Sequence, residues 1–232
     1  MPPQSPSRLT ARLESLRPAA STEKPGDKTA KPKGAREVRS AARKEAILAA
    51  ALEEFSTSGF AAARLEDVAK RAGVAKGTIY LYFADKEALF QDLAREMLQP
   101  LVAHVENFAT IDLPFPALAD SMIDVMTHEL LGTRRQDIIR LILTEGPRFP
   151  ALAEFYYREV LSKIFAAIGQ VLQRAVDRGE LRHKALIEFP QLLAAPMLVA
   201  IMWNSVFGAI SPLDAKAMLK AHVDIVLNRG DA

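Results

Sequence analysis

The chain has 232 residues, half of them hydrophobic and a quarter charged, with a formal net charge of +2. That is enough apolar content for one substantial core, or two smaller ones sharing a helix, and it excludes a fibrous or wholly disordered protein. Cysteine is absent, which rules out disulfides, thiolate zinc sites, thiol redox chemistry and cysteine nucleophiles, and makes a reducing, cytoplasmic setting the natural expectation.

The small net charge hides an asymmetry. The first 44 residues carry a run of basic groups from Arg8 to Lys44 against only Glu14, Glu23, Asp27 and Glu37. Residues 1–38 are rich in Pro, Ser, Thr and charge, without the apolar stretch of a secretion signal, and read as a disordered basic tail. Such an arm either attracts a phosphate backbone without reading sequence or is simply a solvated tail.

A compact segment follows, over residues 39–98. Ile47, Leu48, Ala51, Leu52 and Phe55 recur at helical spacing, and Ser58-Gly59 supplies a helix stop. A second helix runs from Leu65 to Ala72, with Leu65, Val68, Ala69 and Ala72 on one face and Glu66 and Asp67 in the first turn, where the helix dipole favours acids. Gly73 ends it. A very short third helix covers Lys76 to Phe83, and Asp85 is placed to cap a long helix starting at Lys86. Gly73 permits the left-handed turn, Val74 plugs the junction, and Ile79 with Phe83 pins the third helix to the second. This leaves Lys76, Thr78, Tyr80 and Tyr82 on the free face, a set of donors and rings suited to phosphate oxygens, base edges and thymine methyl groups. Gly77 allows close backbone approach. The Lys86 ammonium and the free N–H groups at the start of its helix suit one phosphate.

Residues 99–232 read as about five further helices, with no strand-like alternation. Their stripes are Leu118 to Leu130, Ile138 to Leu143, Phe155 to Val176, Leu192 to Phe207 and Ala217 to Leu227. Pro114, Pro116, Pro147, Pro150 and Pro212 fall between them, where a missing N–H costs least. Phe189 to Ile210 meets a length criterion for a membrane span. Pro190, Gln191, Pro196, Asn204 and Ser205 interrupt it, however, and no basic cluster anchors it, so a buried dimer helix is the preferred reading over a span. Met122, Met126, Phe155, Tyr156, Met197, Met202 and Trp203 fit either ordinary core or the lining of a pocket for an apolar ligand. Arg140 and His128 are candidates to orient a polar group of such a ligand. His104, His128, His183 and His222 form no ligand pair at helical spacing, so no metal is expected, and they read as surface or hydrogen-bonded side chains. No catalytic residue and no cofactor is expected: nucleophile elbow, phosphate loop and dinucleotide fingerprint are all missing.

Residues from Ser40 to about Met97 resemble the head of the tetracycline-repressor (TetR) family of bacterial regulators. The likeness is carried by Ala-Gly-Val-Ala-Lys-Gly-Thr-Ile-Tyr-Leu-Tyr-Phe, ending at Phe83, and by Asp-Lys-Glu-Ala-Leu-Phe, ending at Phe90. The resemblance implies an all-α protein, with a helix-turn-helix head followed by a helical ligand-binding and dimerisation domain. It implies a homodimer on a palindromic operator in double-stranded DNA, with Lys76, Gly77, Thr78, Tyr80 and Tyr82 at the groove and Lys86 on phosphate. It further implies a pocket for a small-molecule inducer that moves the long connecting helix. The chain departs from the family pattern where Ser or Thr often caps the second and third helices: Arg64 and Ala75 stand there, and Arg64 replaces a hydroxyl contact by charge. That departure is the one support for an alternative, a small-molecule or membrane-associated sensor whose head no longer binds DNA specifically.

Overall fold

A computed structural model describes residues 33–181 and 185–227; the greater part of the basic tail, residues 1–32, lies outside them. All regular elements among the described residues are helical. The first helix, α1, spans Lys33–Ala62 and so reaches back into the span expected as a tail. It is interrupted where the sequence supplies a stop: Gly59 has φ 75° and ψ 161°, outside the helical region. A Cβ there would also lie 3.0 Å from the Glu145 carboxylate, so both backbone angle and space favour glycine.

The next two helices are short. α2 spans Leu65–Arg71 and α3 spans Lys76–Ile79, separated by a turn in which Gly73 has φ 67°. α3 is shorter than its expected extent to Phe83. Beyond Ile79 the chain winds more tightly, with Leu81 N–H donating to the Thr78 carbonyl and Tyr82 N–H to that of Ile79. Asp85 caps α4 (Lys86–Thr110) by accepting from Ala88 N–H at 2.7 Å. The expected boundary at residues 98/99 falls inside this helix, which continues through Pro100 and supplies both the floor of the head and a wall of the C-terminal region.

The head is knitted by aromatic packing. Phe55, Phe60 and Phe90 are almost wholly buried, with ring centroids 5.4 to 5.8 Å apart, and Phe149 stands edge-on to Phe60 at 4.9 Å. Glu54 is the one charged residue buried in the core among the described residues. Its carboxylate accepts from Ser58 Oγ at 2.8 Å and from Arg71 at 3.1 Å, tying the last turn of α2 to α1 and offsetting the cost of burying the charge.

The C-terminal region continues with α5 (Phe115–Val125), which opens on Pro114 and Pro116 and runs into a π turn over Met126–Leu131. α6 spans Arg135–Glu145. α7 (Pro150–Tyr156) passes through a second π turn, Tyr157–Leu161, into α8 (Ser162–Asp177). The expected single helix from Phe155 to Val176 is therefore one helical path carrying a wide turn. A short α9 (Ala185–Glu188) precedes α10 (Gln191–Phe207) and α11 (Ala215–Val226).

α8 lies along α4, α10 pairs with α11, and α11 closes onto α5. Arg174 fastens the first of these contacts, donating to the carbonyls of Phe108, Ala109 and Ile111 at the end of α4. α10 spans 17 residues, and none of the described helices is long and apolar enough to cross a membrane. Pro196 sits inside it without ending it, whereas Pro114, Pro116 and Pro150 all stand at helix starts, where no intrahelical N–H is lost.

Truncating Phe60 removes a side chain shared by α1, α4 and the loop before α7. We expect Phe60→Ala to lower unfolding stability by about 3–5 kcal/mol, read from denaturant melts. A loss under about 1 kcal/mol would mean that these rings are not a common anchor.

Candidate DNA-binding head and apolar cavity

The two arms of the helix-turn-helix are held by Leu65, Val68, Ala69, Ile79 and Phe83, all buried in the common core. What they hold out is the opposite edge. Arg64, Lys76, Gly77 and Tyr80 are exposed, Thr78 is half-buried, and Leu81 is 84% exposed. α3 and the turn after it thus have one packed and one exposed edge; Leu81 adds a large apolar side chain to the exposed one, while Tyr82, expected there, is half-buried against the core.

The polar groups on this edge are not independent. Glu66 on α2 takes Lys76 Nζ at 2.9 Å and also accepts the Tyr80 hydroxyl at 3.3 Å. The Lys76 ammonium holds the Glu66 carboxyl below the usual carboxylate range, and Glu66 in turn raises Lys76. The pair is exposed, so its contribution to stability is small, and its effect is to aim two side chains. Tyr82 turns away from this cluster, its hydroxyl 3.0 Å from Ser40 Oγ on α1. Arg64 and Ala75 occupy the N-cap positions of α2 and α3, and neither gives a side-chain cap.

Lys86 differs most from its expected role. It opens α4, but its ammonium points back at α1, donating to the carbonyls of Phe60 at 2.9 Å and Ala61 at 3.0 Å. It also lies 4.8 Å from the Phe60 ring centroid and 5.5 Å from that of Phe149. Two of its three donors are engaged by helix-end carbonyls, where a cation is favoured by the unpaired oxygens.

A second cluster joins the head to the rest of the chain. Arg134, just after the first π turn, pairs with Glu53 on α1 and reaches Ser56, while Asp137 accepts from its Nε at 2.9 Å. Arg135 beside it donates to the Met97 carbonyl of α4 at 2.8 Å and pairs with Glu129 at 2.6 Å.

Behind that π turn lies a cavity of about 510 Å³, within the roughly 300–1,000 Å³ typical of small-molecule sites. Its walls come from α4, α5, α6, α7, α8, α10, α11 and both π turns. Wide turns of this kind often mark functional sites, because they displace side chains from the regular helical stripe. Apart from Tyr156, Tyr157, Gln191 and His222 the lining is apolar, and among the described residues no Asp, Glu, Lys or Arg takes part.

Four of the seven pocket candidates expected from sequence line this cavity: Met122, Met126, Tyr156 and Met197. Phe155, Met202 and Trp203 do not. Phe155 is buried in the core with the Arg95 guanidinium 5.3 Å from its ring centroid. Trp203 is 40% exposed, stacks on Phe207 and donates to the Ser211 carbonyl at 2.8 Å. A one-residue step of about 100° separates Phe155 from Tyr156 and sends their rings to different faces. Arg140 is engaged by Asp137 and Ser205, and neither it nor the exposed His128 reaches the lining. His222 was read as surface or hydrogen-bonded, but its Nε2 is buried at the cavity wall with no hydrogen-bond partner. The available signal was its place between Leu219 and Val223 on one apolar stripe.

These features agree with what the chain is similar to. Residues 47–93 match the model of the bacterial regulatory proteins of the tetR family, and residues 117–224 match that of the tetracyclin repressor-like C-terminal domain. The HTH-type transcriptional regulator RutR of Escherichia coli is 44% identical over 182 residues, covering 77% of this chain and 69% of RutR. Among solved structures, a complex of SmeT with triclosan has a TM-score of 0.69 at 23% identity, covering 81% of this chain and 91% of that one. FadR from Bacillus subtilis, in complex with stearoyl-CoA, has 0.64 at 18%, covering 81% and 99%.

Tyr156 gives the cavity wall a pH signature. Burial pushes its hydroxyl up to about 12, so the folded chain keeps this proton at a pH where the unfolded chain, near 10, has lost it. Its contribution is therefore intact below about pH 10 and is lost on rising through about pH 12, by up to about 3 kcal/mol. Tyr156→Phe should remove this component from the stability profile between those pH values; an unchanged alkaline slope would show that Tyr156 ionises freely in the fold.

With a matched head, a matched C-terminal domain and RutR as a relative over most of its length, the chain belongs to the TetR family of helix-turn-helix, DNA-binding transcriptional regulators.

Proposed function

We propose that the protein is a ligand-responsive repressor that binds a palindromic operator as a homodimer and is released by a small apolar or amphipathic molecule. The observation that carries this reading is the continuous physical path from the cavity to the head. The π turn over Met126–Leu131 lines the cavity, and Arg134 and Arg135 immediately after it grip α1 and α4. A ligand that favours one arrangement of that turn changes how α1 and α4 are held, and a coupling of about 1–3 kcal/mol suffices for regulation.

In this reading each head sets α3 in a major groove, and the two half-sites lie about one helical turn apart. Thr78, Gly77 and Leu81 meet base edges and thymine methyl groups, while Lys76, Tyr80 and Arg64 meet the backbone. Tyr82 acts from its anchorage on Ser40. Lys86 fixes the angle between α1 and α4 and reaches phosphate only by giving up its carbonyl partners. Residues 39–98 serve as the head and 99–232 as the ligand-binding and dimerisation domain, with the basic tail adding attraction that does not depend on sequence.

The dimer is supported by α10, whose outward face is apolar and uncovered. Leu198, Val199, Trp203, Val206 and Phe207 are 38–59% exposed, and Ile210 follows at 84%. Such a face in water favours burial against a second copy. An apolar inducer is supported by the lining, and by the triclosan bound to SmeT and the stearoyl-CoA bound to FadR of Bacillus subtilis. SmeT is the repressor of a multidrug efflux pump of Stenotrophomonas maltophilia, which supports repression as the mode of action. A cytoplasmic location follows from that role. The sensor without specific DNA binding is not favoured, since the missing caps at Arg64 and Ala75 leave the exposed edge of α3 complete.

Selection of fragmented genomic DNA at near-physiological salt tests the reading. Wild type should enrich one palindrome; Thr78→Ala should shift the preferred bases at fixed positions, whereas Lys76→Ala should weaken all fragments alike and reduce the salt slope by about one. Failure to enrich any palindrome, with or without cellular small molecules, would refute a sequence-reading head.

A further inference from the structure

From the His222 imidazole we infer that the cavity recognises an uncharged amphiphile, an apolar body bearing one hydroxyl group, and that His222 Nε2 is the atom that holds the hydroxyl. The inference rests on reading the cavity as a ligand site and adds the class of ligand and the residue that selects it.

His222 lies on α11 between Leu219 and Val223, and all three line the cavity. Its Nε2 is enclosed and makes no hydrogen bond among the described residues, and it meets a ligand once the ring turns toward the cavity. A buried polar atom without a partner costs stability, so its presence beside an apolar cavity calls for a partner from outside the chain. α11 itself is firmly placed: Asp214 caps its start by accepting from Ala217 N–H at 3.0 Å, and Lys216 pairs with Asp124 of α5 at 2.8 Å. The imidazole is thus presented by an anchored helix, not by a loop.

The charge of the ligand follows from the rest of the lining. Among the described residues no Lys or Arg faces the cavity to balance a carboxylate, and no Asp or Glu to balance an amine. An ion would lose its hydration with at most one imidazole in compensation, whereas a hydroxyl needs one partner and can either donate to or accept from imidazole. Tyr156, whose hydroxyl burial keeps protonated, offers a second neutral group in the same wall.

Displacement of the uncharged fluorophore N-phenyl-1-naphthylamine from the full chain tests this, with decan-1-ol, undecane and decanoate as competitors. Wild type should bind decan-1-ol roughly tenfold more tightly than undecane or decanoate, one added hydrogen bond's worth. His222→Leu should abolish that preference while binding undecane as well as before or better, and His222→Gln, which restores a polar atom, should recover part of it. In the absence of ligand both variants should melt at or above the wild-type temperature, since an unpaired polar atom has been removed or freed to turn.

Equal preference in wild type and His222→Leu would overturn the role of His222 while leaving the cavity a ligand site. Tighter binding of decanoate than of decan-1-ol would overturn the uncharged class. Failure of the fluorophore and all three competitors to bind would remove the ligand-site reading itself. A melting temperature lowered by more than about 5 °C in both variants would make His222 a packing residue and defeat the proposal.

Discussion

The contact on which the rest of the structure depends is that of the Lys86 ammonium with the end of α1. Helix α1 ends at a glycine bend and leaves carbonyls facing α4, and the first residue of α4 answers them with a cation at 2.9 and 3.0 Å. The adjacent Phe60 and Phe149 rings flank that ammonium at 4.8 and 5.5 Å. Since Phe149 belongs to the loop between α6 and α7, the same small cluster closes the head and attaches it to the C-terminal region. Desolvation strengthens each of these contacts, because carbonyl oxygens and ring faces replace water around a partly buried charge.

Around this knot the division of labour follows from polarity. The inner faces of α1, α2 and α3 are apolar and packed, so the exposed edge of α3 carries little structural duty and is free for DNA. The cavity has the opposite character: its walls are apolar and its few polar atoms are sparse. Between the two runs a chain of charged contacts, Arg134 to Glu53 and Arg135 to the Met97 carbonyl, that begins directly after the π turn lining the cavity. The family's two tasks, reading DNA and sensing a small molecule, thus share one set of fasteners.

Much of the head was legible in the sequence because its signals are local. Gly59 and Gly73 mark positive φ angles, Asp85 caps α4, and the spacing of Leu65, Val68, Ala69, Ile79 and Phe83 defines a packed face. The cavity was legible only in part. Met122, Met126, Tyr156 and Met197 were recognisable by type, but Phe155 and Trp203 are the same types on different faces, and only the packing of several distant helices decides which face looks inward. Two π turns shift the helical phase at Met126 and Tyr157, which no simple period anticipates. Lys86 illustrates a further limit: a lysine at the start of a helix suits phosphate by its position, yet the carbonyls that engage it lie some 25 residues earlier in the chain. His222 was hidden because an unpartnered atom is a property of its surroundings, not of its spacing.

Lys86 and Phe149 act as one energetic unit joining the head to the C-terminal region. A double-mutant cycle on unfolding stability, with Lys86→Met, Phe149→Leu and both together, measures that unit. We expect a coupling energy of about 1 kcal/mol or more, each single change costing more in the presence of the other partner than in its absence. Strict additivity of the two changes would contradict it, leaving two neighbouring but independent contacts.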